Sequence, residues 1–163
     1  MSLKNQILEI LEKNAKLSNA EIAVMLGENE EKIAETVKEL EAQKIILGYK
    51  TVVNWDKIEK EKITAYIELS ITPEEGHGFE KIAKNIIKEF PQVKSISLMS
   101  GGFDFLIEID GESMKDVALF VAEKISPIDC VVSTKTHFVL RRYKHEGIEL
   151  TEKTKDERRV ISL

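Results

Sequence analysis

The stretch "MSGGFDF", residues 99–105, combines the groups that a small zwitterion needs. Gly101 and Gly102 have no side chains, so their backbone N–H groups are open to a carboxylate. Asp104 supplies a carboxylate beside them, which can accept hydrogen bonds from an ammonium group. The loop therefore offers donors and an acceptor to an amino acid. The alternative is structural, because two glycines suffice to turn a β-hairpin and nothing more is then required of them.

A second candidate is a charged helix in the segment Glu28–Glu41, which holds six glutamates and only two lysines. The spacing of Ile33, Val37 and Leu40 predicts a buried stripe along one side. A glutamate can accept only from a base donor such as cytosine N4, and it repels nearby phosphates. The outward face is therefore unusual for a DNA contact, and it carries Asn29, Glu30, Glu31, Lys32, Glu35, Thr36 and Glu39.

Catalysis and metal binding have little support in the sequence. The single cysteine, Cys130, excludes an intramolecular disulfide and suits a reducing cytoplasm. His77, His137 and His145 are scattered, and together with one cysteine they are too few for a zinc or iron–sulfur site. The chain has no Walker-type phosphate loop, no nucleophile elbow and no paired acids at a plausible cleft. We predict no enzyme, no metal and no cofactor.

The composition is that of a soluble globular protein. A chain of 163 residues is long enough for one ordinary domain or two small ones, with 42% hydrophobic and 33% charged residues. The net charge of −5 argues mildly against non-specific nucleic-acid binding, although a locally basic face can still bind DNA. The chain shows neither an apolar run of about 20 residues nor a signal peptide, so we expect a cytoplasmic protein without a membrane span.

The N-terminal third has the pattern of a winged helix-turn-helix. Ser18 and Glu21 form a capping-box signature that starts a second helix, and Gly27 ends it. The segment "IILGYKTVVNW" is β-branched and aromatic, which favours a strand. We therefore predict a DNA-binding domain over residues 1–55. Its elements are helices over 3–14, between Ser18 and Gly27, and over 29–43, and a strand over 45–55.

The rest of the chain has the order strand, helix, strand, strand, helix, strand. This βαββαβ order is the ferredoxin-like unit, an antiparallel sheet with helices on one face, and it makes the fold class α+β. A charged run over 56–62 is predicted as a linker, and residues 144–163 as a polar tail with an arm strand around "GIEL". Within a domain over 63–143, the predicted strands are 63–71, 93–100, 103–111 and 130–143, and the predicted helices are 78–90 and 113–126.

With these elements in order, the chain resembles the Lrp/AsnC family of bacterial and archaeal transcription regulators. The resemblance covers nearly the whole chain, and the segments that carry it are "LEAQKIILGYKTVVN", "SLMSGGFDFLIEI" and "STKTHFVLRRYK". The first is similar to the family passage LE-x-x-G-hydrophobic-I-x-GY, with Lys44 in place of the usual glycine. The order and spacing of these segments together make the match.

The resemblance implies partners and an effector site. Family members dimerise by pairing their βαββαβ sheets and often assemble into tetramers or octamers. Many bind a small effector, commonly an amino acid, between dimers. The effector-binding candidates that carry over are Ser100, Gly101, Gly102 and Asp104, and less directly Thr134 and Thr136 on the last strand.

Two hypotheses for function stay open at this point. The first is a regulator that binds double-stranded DNA, with phosphate contacts supplied by lysines outside the acidic helix, namely Lys13, Lys16, Lys44 and Lys50. The second is an effector-binding oligomeric scaffold whose DNA-binding head is vestigial. Under the first hypothesis, the DNA-binding candidates are Asn29, Glu31, Lys32, Glu35, Thr36, Lys44 and Lys50.

Overall fold

The computed structural model describes most of the chain, over residues 1–58, 62–72 and 78–150. Three predicted features lie outside these residues: positions 59–61 of the linker, His77, and the end of the tail from 151 to 163. None of the described helices is both long and apolar enough to cross a membrane. The chain divides into two compact units, Met1–Val52 and Val53–Leu163.

The first unit is built from three helices, as predicted. The Ser18 hydroxyl accepts from the backbone N–H of Glu21 at 3.3 Å, and Glu21 Oε2 accepts from the backbone N–H of Ser18 at 2.8 Å. This reciprocal capping box starts the second helix where the sequence predicts it. The helices are α1 (Leu3–Lys13), α2 (Asn19–Leu26) and α3 (Glu30–Ala42). Their buried core consists of Ile7, Leu11, Ile22, Ala23, Ile33 and Leu40.

The prediction of a strand over residues 45–55 is wrong. Residues 47–54 have no regular secondary structure, and Trp55–Lys57 is a short 3-10 helix. High strand propensity expresses a fit to a half-buried sheet surface, and the Met1–Val52 unit contains no strand that could pair with this segment. Leu47 is accordingly 86% exposed.

The second unit has the predicted βαββαβ order. Its sheet is antiparallel with strand order β2-β3-β1-β4. The last helix is shorter than predicted and continues as a π-helical turn, Val121–Ile125. The elements are β1 (Ile63–Ile71), α4 (Phe79–Glu89), β2 (Val93–Leu98), β3 (Phe105–Gly111), α5 (Met114–Phe120) and β4 (Val131–Phe138).

Strand β1 lies at the centre of the sheet and has one buried side. Its alternate residues Ala65, Ile67, Leu69 and Ile71 are all less than a tenth exposed, and they pack in one core with residues of α4 and α5. Successive side chains of a strand point to opposite faces. The residues between them therefore face away from that core, on the side we call the open face of the sheet.

A short hairpin follows the sheet. Its strands are β5 (Lys144–His145) and β6 (Ile148–Glu149), so the arm strand predicted around "GIEL" is present. The Asn54 side chain donates from Nδ2 to the carbonyl oxygen of Leu150 at 3.0 Å, which ties the hairpin to the segment that enters the unit.

Gly111, at the end of β3, provides a test of how closely the sheet packs against α5. A Cβ atom at this position would lie 2.6 Å from Cγ2 of Val117, which is only 1% exposed. Val117 is β-branched and stiff at χ1, so it cannot move aside without disturbing the core. We expect Gly111→Ala to lower the free energy of unfolding by about 1–3 kcal/mol, measured by chemical denaturation. Gly102→Ala is the matched control because a Cβ there meets nothing within 4 Å, and equal stability of the two variants would contradict the packing.

Candidate functional sites

Helix α3 begins at a capped turn that presents its first residues to solvent. Asn29 is the N-cap, and its Oδ1 accepts from the backbone N–H of Glu31 at 2.7 Å. Ile33 and Leu40 are fully buried, which fixes the rotation of the helix. Glu31 and Glu35 consequently lie on the exposed side. The side-chain oxygen of Asn29 is thus already engaged, whereas both carboxylates remain open to a ligand.

Two further α3 candidates are held by contacts within the unit. Lys32 Nζ lies 2.9 Å from Glu28 Oε2, an ion pair at i,i+4 spacing. The half-buried Thr36 hydroxyl donates to the carbonyl oxygen of Lys32 at 2.7 Å. A DNA contact by Lys32 would therefore compete with Glu28, and one by Thr36 would use only its acceptor capacity.

The end of α3 places Lys44 in a backbone conformation that glycine usually adopts. The backbone N–H of Ile45 donates to Leu40 O at 2.9 Å, and that of Lys44 donates to Glu41 O at 3.0 Å. These two bonds form a Schellman motif, in which the residue after the C-cap is left-handed. That residue is Lys44, with φ of 58°. The equivalent position after α2 is Gly27, with φ of 66°, so Lys44 occupies a conformation that favours glycine.

The basic candidates after α3 are exposed. Lys44 and Lys50 both point into solvent on the chain that leaves the helix. Between them the Tyr49 hydroxyl donates to Glu41 Oε1 at 2.8 Å. Partial burial, followed by this hydrogen bond to a carboxylate, raises the pKa of Tyr49. The bond engages the carboxylate of Glu41, which stays negatively charged, and Lys44 and Lys50 are the positive groups of this segment.

In the second unit, the Asp104 carboxylate has a structural partner that the sequence did not reveal. Its Oδ2 accepts from the backbone N–H of Ile71 at 2.8 Å, and its own N–H donates to Leu69 O at 3.0 Å. Met99 N–H donates to Asp104 O at 2.8 Å and closes the loop. The residue therefore fixes the β2–β3 loop to the end of β1. An i to i+33 contact of this kind leaves no local sequence signal.

The predicted hairpin between β2 and β3 is confirmed, but its turn is longer than the two glycines predicted, because β2 ends at Leu98 and β3 begins at Phe105. Gly101 has a φ of 146°, which disfavours other residues, and Gly102 is exposed beside it. Ser100 is exposed as well. The loop thus presents backbone groups to solvent, next to a carboxylate that is held in place.

The two threonine candidates lie on β4, at different depths in the sheet. Thr134 pairs in register with Leu69 and Thr136 with Ile67, so both side chains point to the helix-covered face. The Thr134 hydroxyl is 3.2 Å from that of Ser126. Asp104 and Thr134 therefore both meet β1 at Leu69, at the same end of the sheet, and Thr136 lies two residues farther in.

The open face of the sheet carries an ion-pair network that the sequence analysis missed. Asp110 Oδ2 lies 2.6 Å from Lys62 Nζ and 3.1 Å from Lys94 Nζ. Glu108 Oε1 lies 3.2 Å from Lys94 Nζ and 3.5 Å from Arg142. A signal was available, because polar residues on β3 alternate with its buried residues.

This network shifts the titration of its members. Burial raises the pKa of Asp110, but hydrogen bonds from Lys62, Thr64 and Lys94 outweigh it and leave the pKa below its usual value. For the cationic Lys94, burial lowers the pKa. Its hydrogen bonds to Asp110 and Glu108 outweigh burial, and the pKa of Lys94 is raised. Both groups therefore stay charged around neutral pH, and the open face is a fixed array of paired charges.

Among the described residues, no group of three or more His, Cys, Asp or Glu side chains is arranged to hold a metal ion. Glu68 Oε1 and His137 Nε2 are 2.9 Å apart on the open face, but they form only a pair.

Comparison with known proteins identifies both units. Residues 3–46 match the model of the winged helix-turn-helix DNA-binding domain, and residues 64–148 match that of the Lrp/AsnC ligand binding domain. The HTH-type transcriptional regulator YugG of Bacillus subtilis is 40% identical over 159 residues, covering 97% of this chain and 95% of the relative. The HTH-type transcriptional regulator LrpA of Pyrococcus abyssi is 33% identical over 138 residues, covering 85% and 94%.

A solved structure has the same fold. It is a transcriptional regulator from Neisseria meningitidis in complex with L-Met, which superposes with a TM-score of 0.71. The two chains are 22% identical, and the match covers 89% of this chain and 93% of that one.

The left-handed Lys44 gives a prediction about stability. An L-residue in this conformation lowers the stability of the folded chain by about 1–2 kcal/mol. Glycine avoids this strain, but its greater flexibility in the unfolded chain lowers the stability by about 0.5–1 kcal/mol. We expect Lys44→Gly to raise the free energy of unfolding by about 0.5–1 kcal/mol net. Thermal unfolding followed by circular dichroism measures it.

Lys44→Ala is the matched control, since it removes the same charge but keeps a Cβ atom. It should leave the stability close to that of the original chain. A gain of equal size in both variants would show that charge, rather than backbone conformation, is responsible.

Proposed function

This chain belongs to the Lrp/AsnC family of DNA-binding transcriptional regulators, and we propose that α3 and the lysines that follow it make its DNA contacts. The observation that carries the proposal is the exposure of α3 beyond a capped N-terminus. In a helix-turn-helix, the N-terminal part of the second helix of the motif enters the major groove. The backbone N–H groups of that first turn also favour phosphate, whatever the side chains are.

The phosphate contacts are assigned to lysines rather than to the helix face. Lys44 and Lys50 are exposed, and no ion pair to another described residue involves either of them. Their charges are therefore available to a polyanion without breaking an existing contact. Lys32 must first leave Glu28, so its contribution is smaller. A cytoplasmic location follows from the same proposal, because DNA is the partner.

Assembly is assigned to the open face of the sheet. This face is not covered by α4 or α5, and its paired charges include both signs in neighbouring positions. Because these charges are already paired within each copy, two copies can bring this face together without net repulsion. We propose a homodimer through this face that assembles further into tetramers or octamers, which multiplies weak DNA contacts through effective concentration.

The effector site is assigned to the β2–β3 loop and its surroundings. Exposed N–H groups at Gly101 and Gly102 would bind a carboxylate, and Asp104 Oδ1 would accept from an ammonium group. Thr134 and Thr136 would line the neighbouring part of the site. The L-Met complex of the Neisseria relative supports an amino acid as the effector. Such a ligand shifts assembly only by the difference in its affinity for the two states.

The DNA proposal predicts a salt-dependent complex with a duplex from upstream of the gene for this chain. Between about 50 and 200 mM salt, the affinity should fall because bound counterions are released. Lys50→Ala should weaken binding to all duplexes alike and reduce the magnitude of the log–log salt slope by about 1. Fluorescence anisotropy titrations measure both quantities.

Lys115→Ala is the matched control, since it removes an exposed lysine from α5 in the other unit. It should leave the salt slope unchanged. If the original chain forms no complex at any of these salt concentrations and still assembles, the DNA proposal fails and the vestigial-head scaffold takes its place.

Substitutions of Asp104 can separate its structural bond to Ile71 from its proposed contact with an ammonium group. Asp104→Ala leaves the Ile71 N–H without its acceptor and should cost about 1–3 kcal/mol of stability. Asp104→Asn keeps a side-chain oxygen for that bond but removes the charge that an ammonium needs. We expect the asparagine variant to be nearly as stable as the original chain and to bind its amino acid about 10- to 100-fold more weakly.

The measurement is a thermal-shift screen of the twenty amino acids, followed by calorimetric titration of those that stabilise the original chain. Equal affinity in the asparagine variant would restrict Asp104 to its structural bond with Ile71. Stabilisation by none of the twenty would remove an amino acid as the effector.

A further inference from the structure

The six glutamates of the Glu28–Glu41 segment fall into two groups. Three are occupied by contacts within the first unit, at distances between 2.7 and 2.9 Å. Two of these carboxylates are partly neutralised by lysines before any ligand arrives, and the third is engaged by a hydroxyl donor. The pairs are Glu28 with Lys32, Glu39 with Lys4, and Glu41 with the Tyr49 hydroxyl.

The other three glutamates are Glu30, Glu31 and Glu35. In the described part of the chain, their carboxylates have no ion pair and no hydrogen bond. Glu31 and Glu35 are four residues apart, so they are neighbours on one face of the helix. Each lies two residues from buried Ile33, about 160° around the helix axis. They are therefore the acidic pair that an approaching duplex would meet.

Helix stability accounts for only one member of this pair. Glu31 lies in the first turn, where a negative charge complements the helix dipole. Glu35 lies beyond that turn and four residues from a like charge, an arrangement that destabilises a helix slightly. Within the described ranges, no ion pair or hydrogen bond of its carboxylate explains its position.

The chemistry of a carboxylate limits what this face can bind. An ionised carboxylate only accepts hydrogen bonds. Phosphate oxygens are acceptors too, and guanine presents N7 and O6 acceptors in the major groove. Cytosine presents its N4 amino donor there and no acceptor of its own, whereas adenine places its N7 acceptor beside its N6 donor.

We propose that Glu31 and Glu35 read cytosine amino groups in the major groove of the operator. The inference rests on the proposed role of α3 as the DNA-reading helix, and it names the bases that the helix selects. The same carboxylates repel phosphates, so they weaken binding to duplexes without correctly placed cytosines. Selectivity then comes from the repulsive element as well as from the attractive contact.

The test begins with the full-length chain and a randomised duplex pool. After selection of the tightest binders, each fixed cytosine is replaced in turn by pyrimidin-2-one, a cytosine analogue without the amino group. Affinities are measured for the original chain, Glu31→Ala, Glu35→Ala and the control Glu30→Ala. Glu30 is also exposed and unpaired, but it lies three residues before Ile33 and so nearer the buried side.

For the original chain, we expect loss of one amino group to weaken binding about tenfold. In Glu31→Ala or Glu35→Ala, loss of the cytosine that this residue reads should change affinity less than about twofold. All three variants should bind a non-specific duplex more tightly, since each removes one negative charge near phosphate. Glu30→Ala should keep the full discrimination, and circular dichroism should show the same helix content throughout.

Two outcomes overturn the inference, and they differ from failure of the proposed function. If the selected duplexes have no fixed cytosine, or if Glu31→Ala and Glu35→Ala keep the tenfold discrimination, α3 binds DNA without reading cytosine through these residues. If the original chain binds no duplex from the pool at low salt, the DNA-binding role fails and this inference fails with it.

Discussion

The burial of one side of β1 is the constraint on which the second unit depends. Ala65, Ile67, Leu69 and Ile71 are covered by helices, and β1 is paired along both edges, with β3 and β4. A one-residue shift in register would turn these four side chains outward, so the register is strongly specified. The open face, the Asp104 loop and the β4 threonines are each placed by their pairing with this strand. The candidate effector site and the candidate dimer surface therefore share one origin.

Burial of one side also determines which residues of the acidic helix α3 face solvent in the first unit. Burial of Ile33 and Leu40 fixes the rotation of α3, and Glu31 and Glu35 then have to face solvent. An acidic DNA-reading helix is physically reasonable when phosphates are contacted by Lys44 and Lys50 outside the helix. In this arrangement, the lysines supply affinity and the carboxylates oppose duplexes that lack suitable donors.

Periodicity predicted most of the fold, and it failed where a partner was needed. The alternation in "ITAYIELSI" located β1 over residues 63–71, and the apolar spacing of α3 located its buried side. The strand predicted over 45–55 does not form, since propensity cannot supply a neighbouring strand. The bond from Ile71 N–H to Asp104 and the pairing of Lys94 with Asp110 join residues distant in sequence, which a single sequence does not reveal. The DNA-binding and effector-binding residues stay predictions, because such sites are defined by contacts with DNA or an effector rather than by contacts within the chain.

The most direct test of the central claim, that the outward face of α3 meets DNA, is hydrogen–deuterium exchange with and without a bound operator duplex. The first backbone N–H groups of a helix have no partner within the helix, and they exchange readily unless something covers them. We expect DNA to slow exchange at the start of α3, residues 30–32, and along 44–50. A stable DNA complex with unchanged exchange in both segments would contradict it, because the duplex would then be held by another surface.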